Sequence, residues 1–225
     1  PAEHYAKDPE NRLLARGPRH RVDAESVRDI ALAAGGLLTP TVGGPSVFAP
    51  QPDGVAALSI GGGQWNTESG PNRYRRGMYT FQKRLTPYPA FMLFDAPGRE
   101  LTCIRRQRSN TPLQALNTLN DVVYVEAAQA MARRVLKEGW GGPEQRVRFA
   151  FRLCLSRGPS ASESRRAIAF LQEQRAVYAA APAEAAQVAG IDPKAPPAGA
   201  DPAELAAWTL LSRVLLNLDE TITKE

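Results

Sequence analysis

Three times in its second half the chain sets a hydroxyl or carboxylate residue, then two further residues, then Gln or Glu, immediately ahead of apolar residues at helical spacing. Thr111-Pro112-Leu113-Gln114, Ser160-Ala161-Ser162-Glu163 and Asp201-Pro202-Ala203-Glu204 each have the form of a capping box. In such a box the first side chain accepts from an otherwise unpaired N–H of the first turn, and the fourth reaches back to the first. Proline at the first helical position loses only an N–H that would have had no partner. The boxes predict helices starting within about two residues of Pro112, Ala161 and Pro202, and a mainly α fold.

The apolar spacing supplies the faces. Leu113, Leu116, Val123, Ala127 and Met131 can line one stripe, with a break at Asn120-Asp121 and an end near Gly139. Pro143 opens a helix that presents Val147, Ala150, Phe151 and Cys154 before Arg157-Gly158-Pro159 stops it. Ala167, Ile168, Leu171 and Tyr178 form the inner face of the next. The last carries Leu205, Trp208, Leu211, Leu215 and Leu218, enough to pack on two neighbours. Residues 181–200, rich in Ala, Pro and Gly, read as a long exposed connection. Near the N-terminus, Asp23 to about Ala34 reads as a helix presenting Val27, Ile30, Ala31 and Ala34, closed by Gly35-Gly36.

Between these helical ends lies a segment dominated by turns: Gly43-Gly44-Pro45, Pro50-Gln51-Pro52-Asp53-Gly54 and Gly61-Gly62-Gly63. Arg76 to Leu85 fits neither period, and Leu101 to Arg105 alternates as a short strand would. The expected architecture is one helical domain over residues 1–225 with a loop-rich, basic central segment and at most a few short strands. Long irregular loops in a compact domain often carry function, so a site is sought between Gly43 and Asn110.

The charge pattern points to the same place. The chain carries a net +5, yet Arg73 to Arg108 holds nine basic residues against Asp95 and Glu100, a local +7 that leaves the remainder at −2. Arg73, Arg75, Arg76, Lys83, Arg84, Arg105 and Arg106, with Asp95, Trp65 and Tyr79 among them, make the candidate binding set. Guanidinium forks hold carboxylate, phosphate or sulfate, and interleaved rings can stack on the apolar face of a ligand. The competing account is that acids elsewhere in the chain neutralise these arginines internally.

Other chemistries find little footing. Asp95, Glu68 or Asp53 would have to act as acid or base, and no spacing pairs them. The sequence has no nucleophile elbow, phosphate loop, dinucleotide fingerprint or CxxC. With only His4, His20, Cys103 and Cys154, neither a metal site nor a haem attached within these residues is expected. Cys154 falls on a core-facing position, where a free buried thiol is expected. No apolar run reaches the roughly 18 residues of a membrane helix, so no membrane partner is expected. The chain begins with Pro rather than Met, which reads as a piece of a longer polypeptide.

DPENRLL (Asp8–Leu14), RVDAESVRD (Arg21–Asp29), GGPSVFAPQPDG (Gly43–Gly54), YRRGMYTFQKR (Tyr74–Arg84), the long string from Pro87 to Asp121 and the terminal WTLLSRVLLNLDET occur in order. In this succession the chain resembles the planctomycete-type domain of unknown function family 1553. The resemblance implies the C-terminal domain of a large secreted or periplasmic bacterial protein, following a signal peptide, a cytochrome c-like domain that carries the haem c, and a second uncharacterised domain. It carries over no catalytic residue. Here LLNLDET departs from the commoner pattern after LLN, and Cys154 stands where other small or apolar residues are frequent, which argues against an obligatory disulfide. The expected function is a non-catalytic binding or interaction module of a haem-linked protein. Its expected partners are upstream domains of the same polypeptide and an anionic polysaccharide, with nucleic acid disfavoured by the extracytoplasmic setting. The alternative is a hydrolase or lyase domain acting on such a polysaccharide.

Overall fold

A computed structural model of the chain describes residues 2–17, 19–58, 64–192 and 201–224; the Gly61-Gly62-Gly63 turn and residues 193–200 of the expected connection lie outside them. The first part contains α1 (Ala2–Lys7), β1 (His20–Arg21), α2 (Ala24–Gly35), α3 (Gly70–Arg73) and α4 (Pro89–Leu93). The second contains α5 (Pro112–Asn120), α6 (Val122–Glu138), α7 (Pro143–Leu155), α8 (Ala161–Ala179), α9 (Pro182–Val188), α10 (Pro202–Leu216), α11 (Asp219–Ile222) and β2 (Thr223–Lys224). The domain is mainly α. Its one small sheet among the described residues pairs β1 with β2 antiparallel, His20 opposite Lys224, and so ties the two ends of the chain together.

The core forms where α10 packs on α6, α8 and α9, with α2 laid against α6. Buried positions run around α10 from Ala203 to Leu216 and include Trp208, Thr209 and Ser212, the pattern of a helix enclosed by neighbours rather than seated on one. Thr209 resolves its buried hydroxyl by donating to Leu205 O at 2.8 Å. Small residues let α2 and α6 approach closely: a Cβ on Gly35 would lie 2.7 Å from Ala127 O, so this position admits no side chain without separating the helices.

The helix starts fall at Pro112, Ala161 and Pro202, as the boxes predict, but only one box forms in full. Ser160 Oγ accepts from Glu163 N–H, and Glu163 accepts from Ser160 N–H. Hydrogen bonds from Arg157 and from that backbone N–H hold the Glu163 carboxyl down at about 2, so the box persists well below the pH at which an ordinary glutamate protonates. Asp201 caps Ala203 N–H, while Glu204 turns to Arg146. Thr111 makes no capping bond, and the Gln114 side chain, drawn inward where its Nε2 donates to Leu93 O and Ser109 Oγ, gives none back. Ser160→Ala should therefore cost about 1 kcal/mol and Thr111→Ala less than about 0.5 kcal/mol. Urea denaturation midpoints of the two variants check this, and equal losses would refute the distinction.

Three further expectations are corrected. Leu113 and Leu116 face solvent, and α5 buries Gln114 and Thr118 instead, since α5 meets the loop at Ser109 through polar bonds. Leu101 to Arg105 forms no strand, because no partner strand lies alongside it; it is exposed loop. Residues 181–192 are not an exposed connection: α9 occupies 182–188, and Ala185 and Ala189 are fully buried against the core. The small alanine side chains that suggested a linker are what allow this close packing. The segment 76–85 contributes only a short 3-10 turn at Gly77–Tyr79 and a bridge from Thr80 to Val47. The helix read from Asp23 ends as expected, at Gly36 with φ 73°.

Candidate functional site

The arginine-rich segment is drawn onto α2 and α6, and three of its cations are paired with acids there. Arg75 is buried beneath the loop 41–47, where its Nη1 donates to Pro45 O at 2.9 Å and its Nη2 to the carbonyls of Thr41 and Gly43. The Arg75 guanidinium lies 3.8 Å over the Tyr79 ring, whose hydroxyl accepts from Gly43 N–H. From α2 the buried Arg28 donates to Arg75 O at 2.6 Å and Arg73 O at 2.8 Å. Two guanidiniums that donate to backbone carbonyls thus replace regular structure in a segment too rich in Gly and Pro to build it.

Acids distant in sequence meet the others. Arg73 grips Glu126 of α6 with a two-pronged pair, to which Tyr74 Oη adds a bond at 3.3 Å. Arg76 faces Asp29 at 3.3 Å, the same carboxylate accepting from Gly77 N–H at 2.6 Å. Arg106 holds Glu25 through two bonds of 2.7 and 3.1 Å. Partial burial pushes the Glu25 carboxyl up, but the Arg106 hydrogen bonds, its own backbone N–H and the charges of Arg106 and Arg99 together hold the group below its ordinary value. Internal neutralisation therefore accounts for Arg73, Arg76 and Arg106.

The remaining candidates divide. Trp65 is a packing residue: its Nε1 donates to Ala49 O at 2.8 Å, and its ring sits among Phe48, Phe81 and Tyr88. Lys83 Nζ is buried without a hydrogen-bond partner among the described residues, and Arg84 is exposed. Asp95 is a structural acceptor, its Oδ2 taking bonds from Ser109 N–H and Ser109 Oγ, both at 2.7 Å. Of Asp53, Glu68 and Asp95, only Asp95 lines one of the main clefts of the described surface.

The Asp95–Ser109 bonds close the neck of a loop that runs over 96–108 without regular structure, an Ω-loop by its form. At its outer part Leu101 is 88% exposed and Ile104 99% exposed, with Arg99 and Arg105 also in solvent and the half-exposed Arg108 3.9 Å from Asp23. On one flank an open cleft of about 740 Å³ lies between Asp23 and the run 105–109; on the other, one of about 650 Å³ reaches Met92. Of the candidate arginines, Arg105 and Arg106 line the first cleft, Arg106 while holding Glu25, and Arg105 is the one left outward. Sequence reading missed Leu101 and Ile104 because apolar residues in a short run look like strand, and it missed Arg28 because a lone arginine on an apolar helix face has no local signature.

Both cysteines are free, Cys103 exposed and Cys154 buried. The Cys154 Sγ lies 3.6 Å from Met131 Sδ, and burial pushes its thiol up to about 12. Among the described residues, no group of three His, Cys, Asp or Glu is placed to hold a metal ion, and no helix is long and apolar enough to cross a membrane.

A family model described as PSD1, protein of unknown function (DUF1553), matches residues 1–171, a span that contains α1 to α7, the loop 96–108 and the start of α8. No curated protein and no solved structure matches the chain.

Proposed function

The chain is a member of the PSD1 (DUF1553) family of proteins of unknown function, and on that premise we propose that it is a non-catalytic interaction module whose docking element is the loop 96–108. The observation that carries this reading is the exposure of Leu101 and Ile104 on a loop whose neck is closed by Asp95 and Ser109. Two large apolar side chains left in water gain roughly 1.5–3 kcal/mol each when a partner covers them fully. A loop already closed at its base loses less conformational freedom on docking than an open one. Arg99, Arg105 and Arg108 around the two side chains select an acidic protein surface with an apolar recess, since complementary charge steers the encounter and rejects basic partners.

In the setting implied by the resemblance, that surface belongs to an upstream domain of an extracytoplasmic, cytochrome-linked parent polypeptide. Hydrogen exchange of the backbone amides 99–108, compared between the 225-residue chain and the complete parent polypeptide, tests the reading. Fast exchange in the isolated chain, protection in the parent and loss of that protection in the parent Leu101→Ser/Ile104→Ser variant are expected. Equally fast exchange in both proteins would overturn it.

A further inference from the structure

On a different part of the surface, α7 and the start of α8 enclose a cleft of about 550 Å³. Glu144, Arg148 and Arg152 follow one another at intervals of four along α7, so they share one exposed face, beside the stripe of buried Val147, Phe151 and Cys154. Phe149 contributes an apolar lining residue that also packs against the core. At the rim stands Trp140, 76% exposed. It is turned outward by the bend between α6 and α7, in which Gly139 is pressed against Val135 O and Gly141 takes φ 78°.

The charges in this cleft are uncommitted, unlike those of the neighbouring arginines. Arg157, close by, is taken up by Glu163 and Glu220, and Arg146 by Glu204. Arg148 and Arg152 have neither a hydrogen bond nor an ion pair among the described residues. An exposed indole, two unpaired guanidiniums and the Ser160 and Ser164 hydroxyls therefore converge on one hollow.

We propose that this cleft binds a singly charged sugar unit of an oligosaccharide, with Trp140 stacking on the ring while Arg148 and Arg152 hold its carboxylate or sulfate. The indole face covers the apolar C–H face of a pyranose, and the guanidinium fork matches the two oxygens of the anion. Glu144 decides between ligand classes. With it the lining carries two positive charges and one negative, a net +1 suited to one anionic group per sugar. Its carboxylate accepts hydrogen bonds from the free hydroxyls of a sugar ring, donors that the backbone of a DNA strand lacks, so DNA is the poorer fit. This site does not depend on the docking loop.

Calorimetric titration of the 225-residue chain with galacturonate oligosaccharides, chondroitin sulfate oligosaccharides, neutral dextran and a thymidine oligonucleotide tests the proposal. Saturable binding of at least one of the two anionic oligosaccharides is expected, and binding of the galacturonate oligosaccharides shows that a carboxylate alone is recognised. Trp140→Ala and Arg148→Gln/Arg152→Gln should each weaken it at least tenfold with an unchanged melting temperature, because all three side chains lie in solvent. No saturable binding of either oligosaccharide, equal affinity in the variants, or tighter binding of dextran or the oligonucleotide would overturn it.

Discussion

Arg75→Ala should unfold at a far lower urea concentration than the parent chain, losing about 3–5 kcal/mol of stability. The side chain is only 4% exposed, and its donors serve the carbonyls of Thr41, Gly43 and Pro45. Truncation removes charge-assisted bonds worth roughly 1.5–3 kcal/mol each, and water can replace only part of them at the exposed loop carbonyls. The loss of the contact with the Tyr79 ring adds to this. Arg76→Ala provides the contrast: half exposed and paired with Asp29 at 3.3 Å, it should cost no more than about 1 kcal/mol. Denaturation midpoints of the two variants measured side by side decide the matter, and a loss under 1 kcal/mol for Arg75→Ala would mean that the clamp is not formed.

Trp208→Ala should cost about 3–5 kcal/mol as well, for a different reason. Trp208 is 4% exposed on α10, the helix that packs on α6, α8 and α9. Removing the indole opens a cavity that backbones held by three neighbouring helices can only partly close. The check is the calorimetric melting temperature, and retention of the parent value would place α10 at the surface rather than the centre.

These two residues mark how far the sequence could be read. Trp208 follows from its neighbours alone: a start signal at Asp201 and apolar residues at helical spacing place it on a buried face whatever the partner helices are. Ser160, Val147, Phe151 and Cys154 follow in the same way. The reading failed where a local pattern admitted two outcomes. Leu113 and Leu116 have the spacing of a buried stripe, yet α5 is turned by the bonds of Gln114 to Leu93 and Ser109. Residues 182–188 have the composition of a linker, yet their alanines fit a groove beside α10. In the candidate binding set, the concentration of arginine was legible and its use was not.

The sequence by itself determined the helices from α5 to α8 and α10, because capping signals, proline placement and 3.6-residue periodicity act within a few positions of one another along the chain. Only the tertiary structure decided what the arginines do. A guanidinium has the same local sequence whether it ends against carbonyls, as Arg75 does, against a carboxylate 53 residues away, as Arg73 does with Glu126, or in water, as Arg148 and Arg152 do. The choice rests on which acids and carbonyls folding brings within hydrogen-bond distance, and burial makes an unpaired charge too costly to leave to chance. Distance in space, which no spacing in the chain records, separates the structural arginines from those left for a ligand.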